Sequence, residues 1–274
     1  MSTGEGVYVS ERMSNAPVYY ALAQASFNPI AAMSKYVDQI QDSLRLKGYP
    51  LFEARLVQQL TPPSPDQAPQ AVLQVTPVPV WFITRSDRTS GFVLTPGGII
   101  YHTTHYETHN EFIRELLEGL MTVHEAVTLD HVSRLGLRYL DAVLPRAGES
   151  VEAYLAPGVH GIEFRAIERY SLTESVFETS PGPLVTTGTL MARVVRTTGP
   201  LGFPPDLQRN NLVMNPKFDT TESRAHAIID TDHFVQGRMP IDAERLREEL
   251  LSLHADVKSV FEAMITTHAR EAWA

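Results

Sequence analysis

The chain has 274 residues, no cysteine, 43% hydrophobic and 20% charged residues, and a formal net charge of -9. That length can bury a large core in one domain or two, and the composition is that of a globular chain rather than a disordered one. The lack of cysteine excludes disulfides, thiolate metal sites and a Cys nucleophile. The acidic balance, -5 over residues 1–130 (8 Lys+Arg against 13 Asp+Glu) and -4 over residues 131–274 (15 against 19), argues against non-specific binding to nucleic acid.

Residues 1–16 read as a flexible N-terminus. Met1 to Asn15 is polar and lacks the apolar stretch of a secretory signal, and no apolar run approaches the ~20 residues of a membrane span. A cytoplasmic protein is therefore expected. Pro17 to Phe27 reads as a strand broken by Asn28-Pro29. Ser34 is placed to cap a helix that runs to Leu46 and ends at Gly48 and Pro50. Phe52 to Leu60 alternates as a strand, and Thr61 to Gln70, with four prolines, reads as an exposed loop. Ala71 to Val75 and Val78 to Arg85 form one bent strand or two, since Pro77 and Pro79 cannot donate to a ladder. Gly91 to Leu94 and Ile99 to Tyr106 form a hairpin around Pro96-Gly97-Gly98. Asn110 is expected to cap the long helix of Glu111 to Val127.

The second half begins near Ser133. Arg134 to Val143 reads as a strand, and Glu149 to Leu155 as a short helix stopped by Pro157-Gly158. Gly161 to Glu178 and Thr186 to Thr198 read as long alternating strands, with Asn211 to Asn215 and Ala225 to Val235 as further strands. Asp242 caps a final helix whose apolar stripe is Leu246, Leu250, Leu253, Val257, Val260, Phe261 and Met264. Each half thus reads β-α-β-β-β-β-α. The expectation is an α+β protein of two tandem repeats, residues 17–130 and 131–274, each a curved antiparallel sheet with its helices packed on one face. The element order resembles the duplicated unit of the TATA-binding-protein-like fold. A helix-grip fold, with one sheet around a single long helix, is the rival, and two comparable long helices favour the repeat.

Several segments carry a second resemblance. They are Phe27-Asn28-Pro29-Ile30, Tyr49-Pro50, the central Arg134-Leu135-Gly136-Leu137-Arg138-Tyr139-Leu140-Asp141, Leu253-His254, Phe261, Ile265-Thr266 and Trp273. Together they are similar to an uncharacterised, sporadically distributed bacterial family, which usually has Asn in place of Asp141. The resemblance implies no activity. The family's patchy distribution implies an accessory role, such as toxin neutralisation or defence.

The chemistry in the sequence is sparse. His102, His105, His109, His124 and His131 make five of the ten histidines, but His102 and His105 have opposite strand parity and no HExxH or HxH spacing occurs, so no metal and no cofactor is expected. There is no GxSxG elbow, P-loop or GxGxxG fingerprint. Asp230 and Asp232 share a strand face, where paired catalytic carboxylates are possible but a solvent-facing edge is the preferred reading.

The arginines carry the functional reading. Only 4 of the 23 basic residues are lysines, a bias that a GC-rich genome also produces, whereas guanidinium groups recognise anions in a bidentate way that Lys cannot. If Leu135, Leu137 and Tyr139, then Ile162, Phe164 and Ala166, then Leu190, Ala192 and Val194 face the helices, strand parity puts Arg134, Arg138, Arg165, Arg169 and Arg193 on the helix-free face. Converging there, they suit an anionic partner or ligand; cross-strand pairing with acids such as Glu163 explains the same pattern with no ligand. The expected function is a non-catalytic binding protein that uses this face. The alternative is an enzyme or small-ligand binder with a pocket between the repeats near His102, His105 and Asp232. A DNA-binding saddle fits least well with the charge.

Overall fold

The computed structural model describes residues 14–61, 74–162, 164–180, 182–219 and 221–274. Its centre is one antiparallel sheet of nine strands: β1 (Val18–Phe27), β2 (Leu51–Thr61), β3 (Gln74–Thr84), β4 (Ser90–Thr95), β5 (Gly98–Thr103), β6 (Val132–Val143), β7 (Tyr170–Thr179), β8 (Gly188–Gly199) and β9 (Arg224–Met239). Across the sheet they run β2-β3-β4-β5-β1-β6-β9-β8-β7. Strands β1 and β6 pair from Val18↔Asp141 to Phe27↔Val132, so the two expected sheets are one sheet joined at this seam.

Four helices pack on one face: α1 (Val37–Leu46), α2 (His109–Val127), α3 (Ala243–Met264) and α4 (Thr267–Trp273). Ala21, Ala23 and Ala25 of β1 point to this face beneath α2, beside Leu135 and Leu137 of β6. The main core draws on both halves, joining Leu116 and Leu120 of α2 to Leu246, Leu250 and Leu253 of α3. The ends of the long helices are set by short-range chemistry. Thr108, rather than Asn110, caps α2 by accepting the Glu111 backbone N–H, and Asp242 caps α3 by accepting from Glu244 and Arg245. Ser34 caps nothing; it lies inside a 3-10 turn, Met33–Lys35, that precedes α1. After α1, Gly48 takes φ +96, a left-handed stop that costs glycine little.

The first half keeps the expected order, with β3 a single strand. Of the proline-rich loop, residues 62–70 lie outside the described residues. The second half departs from β-α-β4-α. Glu149 to Leu155 holds only a 3-10 turn, Val151–Ala153, because a stretch so short before Pro157-Gly158 cannot support an isolated α-helix. Asn211 to Asn215 is not a strand. It belongs to a long connection, residues 200–223, between β8 and β9. Strand β7 starts at Tyr170 rather than Gly161. Among the described residues, no helix is long and apolar enough to cross a membrane.

Candidate functional site

Strand parity holds on the central strands: Arg134 and Arg138 of β6 and Arg193 of β8 lie on the face away from the helices. That face is not bare. The connection 200–223 lies across it, and Leu201, Phe203, Leu207, Leu212, Met214 and Phe218 pack on Tyr19, Tyr20, Leu140, Ala142 and Ile228. Arg138 is buried beneath it at 7% exposure. Its Nε and Nη2 donate to the two carboxylate oxygens of Asp230 at 2.8 and 2.7 Å, and its Nη1 and Nη2 donate to those of Asp206, on the connection, at 2.5 and 3.2 Å. One guanidinium thus closes two forks, the geometry in which arginine binds carboxylates best. Burial opposes the charge on Arg138, and the hydrogen bonds it donates to Asp230 and Asp206 override this, raising its pKa. The same Arg138 bond holds the Asp206 carboxyl below its usual range.

The other arginines divide. Arg193 donates to Glu174 of β7 at 2.5 Å and reaches Asp230 at 3.4 Å. Arg134 lies over the Phe234 ring at 3.5 Å from its centroid, a cation–π contact; burial lowers its pKa against the attraction of Asp232. The expected convergence of five guanidiniums is therefore corrected. Arg138 and Arg193 are neutralised by acids from neighbouring strands and the covering connection. Arg165 and Arg169 precede β7 and are not on the sheet.

The secondary candidates do not meet either. His102, Leu22, Arg138 and Asp232 form one row across the helix-free face. His102 is thus three strand spacings, about 14 Å, from Asp232. Burial takes the His102 pKa down to about 4, and its Nδ1 lies 3.1 Å from the Tyr20 hydroxyl. His105 stands beyond the end of β5, in a cleft of about 240 Å³ lined by Arg85, Tyr101, Thr103, Glu111 and Glu115. This cleft belongs to the first half and is not a pocket between the halves. Among the described residues no group of three or more His, Asp or Glu is placed to hold a metal.

Two sets of residues escaped the sequence reading. Asp230, expected at a solvent-facing edge, is 1% exposed; its shared parity with Arg138 is a usable signal only once β6 is paired with β9. Asp206 carried no signal, because it sits in an aperiodic connection. The opposite error concerns Ile162, Phe164 and Ala166, expected to face inward. Ile162 is 87% exposed, Phe164 73% and Ile167 93%. Arg165 and Arg169 lie among them and are also exposed. Neither makes an ion pair among the described residues; Arg165 lies 6.0 Å from the Phe164 ring centroid. The exposed apolar side chains continue along β7 through Tyr170, Leu172, Val176 and Phe177, and among the described residues β7 pairs only with β8. The site with the least internal satisfaction is therefore this segment and edge, not the central arginines. Neither a family model nor a curated protein matches the chain.

Proposed function

We propose that this is a non-catalytic binding protein whose contact surface is formed by Ile162, Phe164, Arg165, Ile167 and Arg169, and that its partner is a protein with an acidic rim around an apolar patch. The observation that carries the reading is the near-complete exposure of Ile162, Phe164 and Ile167 with Arg165 and Arg169 between them. Large side chains left in water forgo about 1.5–3 kcal/mol each of available burial, and contiguous exposed apolar groups rimmed by charge mark interaction sites. Arginine is among the residues enriched at interface hot spots. The anionic partner of the arginine reading is kept, and its location moves from the sheet face to this segment. The resemblance to the sporadic bacterial family, with an accessory toxin-neutralising or defence role in the cytoplasm, is part of the same proposal. So is a duplicated TATA-binding-protein-like unit, which the β1–β6 seam and the long helix closing each half support.

The test is a pull-down from the native cell with the wild type beside Arg165→Glu/Arg169→Glu. The expected result is one captured protein that the double variant loses while its melting curve stays unchanged. Capture by both chains, or by neither, overturns the reading. A small-ligand reading is favoured by one observation, the polar cleft beside His105; thermal stabilisation by members of a metabolite panel, lost in Arg85→Ala, would select it. A DNA saddle is opposed by the acidic charge and by the chain lying across the helix-free face.

A further inference from the structure

We propose that the edge strand β7 is completed by β7 of a second copy, paired antiparallel about a two-fold axis through Ser175, so that two nine-stranded sheets become one. Edge strands of stable monomers are guarded by proline, lysine, bulges, inward charges or covering chain, because their unpaired N–H and C=O groups otherwise recruit another strand. Strand β7 has ten residues in unbroken register with β8 from Tyr170 to Thr179. It has no proline, no lysine and no bulge. It is apolar and exposed on both faces: Tyr170, Leu172 and Val176 on the helix-free side, and Phe177 on the other. The opposite edge strand β2 also exposes Phe52, Leu56 and Val57, but there the connection reaches the strand: Arg55 is paired with Glu53, and Asn211 is hydrogen-bonded to both.

The register argues for a second copy as the occupant. A two-fold axis normal to the sheet sets like faces together and uses the whole strand when centred on Ser175. On the helix-free face, Tyr170 then stands opposite Ser180, Leu172 opposite Glu178, and Glu174 opposite Val176. On the helix face, Thr173 stands opposite Phe177, large against small. Leu172 and Val176 of the two copies meet diagonally as an apolar stripe, within reach of side-chain contact. No acid stands directly opposite an acid; Glu174 is diagonal to Glu174 and Glu178 of the other copy, and its charge is held by Arg193 of its own sheet. The adjacent registers fail on charge. Centring on Glu174 sets Glu174 against its own copy, and centring on Val176 sets it against Glu178, pairs that destabilise a sheet. The ladder thus supplies main-chain hydrogen bonds, and the side chains select the register.

The experiment is light scattering on the full chain over a dilution series. The wild type is expected at twice 30.5 kDa, dissociating on dilution. Val176→Glu faces Glu174 of the other copy and is expected at the monomer mass. Val176→Lys faces the same Glu174 and is expected to keep the dimer or tighten it. Val176 is 60% exposed, so both variants should keep the wild-type circular dichroism. A monomeric wild type overturns the proposal, as does a dimer that survives Val176→Glu or one lost in both variants. Arg165→Glu/Arg169→Glu should remain dimeric, which separates this outcome from that of the partner-binding reading.

Discussion

Arg138 shows how a charge becomes structure rather than site. Removing a guanidinium that satisfies a buried carboxylate leaves that carboxylate uncompensated, which costs about 3–5 kcal/mol. Arg138→Ala should therefore lower the urea unfolding free energy by that order, with Asp230 left only the 3.4 Å contact to Arg193. If Arg138→Ala unfolds within about 0.5 kcal/mol of the wild type, the clamp contributes little. Asp206, more exposed, has a depressed carboxyl pKa. Its stabilisation is present above the ordinary carboxylate range and lost as pH falls through the folded-state value. Asp141 behaves oppositely. Burial, and then the charge of Asp230, push its pKa from 3.8 up to about 8, so the folded state binds a proton that the unfolded state has released. Stability then falls as pH rises from about 4 to about 8, by about 1.4 kcal/mol per pH unit at most. Asp141→Asn removes that dependence. It should be near neutral below pH 4, gain about 1–2 kcal/mol near pH 5 and gain a few kcal/mol above pH 8. Urea melts at the three pH values would show it, and a pH-independent difference would sink the assignment.

At the scale of elements, the legible parts are those whose period matches the face turned to the helices. The α3 stripe of Leu246, Leu250, Leu253, Val257 and Met264 is buried as its spacing requires, and β1, β6 and β9 follow the two-residue rule. The strand expected over residues 161–178 is only partly formed, because alternation by itself does not secure burial. Residues 161–162 and 164–169 have no sheet to bury them, and β7 begins only at Tyr170, where pairing with β8 starts. The connection 200–223 failed for the opposite reason: Phe203, Leu212, Met214 and Phe218 are buried or half-buried apolar groups with no period. Close packing can also reverse a propensity. A Cβ on Gly119 of α2 would stand 2.4 Å from the Phe92 ring and 3.1 Å from Ile99. Alanine improves an isolated helix by about 1 kcal/mol, yet overpacking costs about 1–3, and here the ring is buried against Tyr49 and Tyr101. Gly119→Ala should lower the melting temperature, and a rise would show that Phe92 can move aside.

At the scale of the whole molecule, the β1–β6 seam and a core shared by α2 and α3 make the halves one cooperative unit. Thermal unfolding followed by far-ultraviolet and by near-ultraviolet circular dichroism should superimpose as one transition; two resolved transitions would mean that residues 17–130 and 131–274 melt separately. From the sequence came the α+β class, the long helices with the Asp242 cap, and the side of each central strand on which Arg134, Arg138 and Arg193 lie, because periodicity and capping act between residues close along the chain. Only the tertiary structure decided that the sheets fuse, that the connection 200–223 covers the helix-free face, and that Asp206 and Asp230 neutralise Arg138 while Ile162, Phe164 and Ile167 stay in water. Those are contacts between residues tens to hundreds of positions apart, such as Arg138 with Asp206 across 68 positions. Strand parity names the side on which a residue lies, and only the packed chain determines what else arrives there.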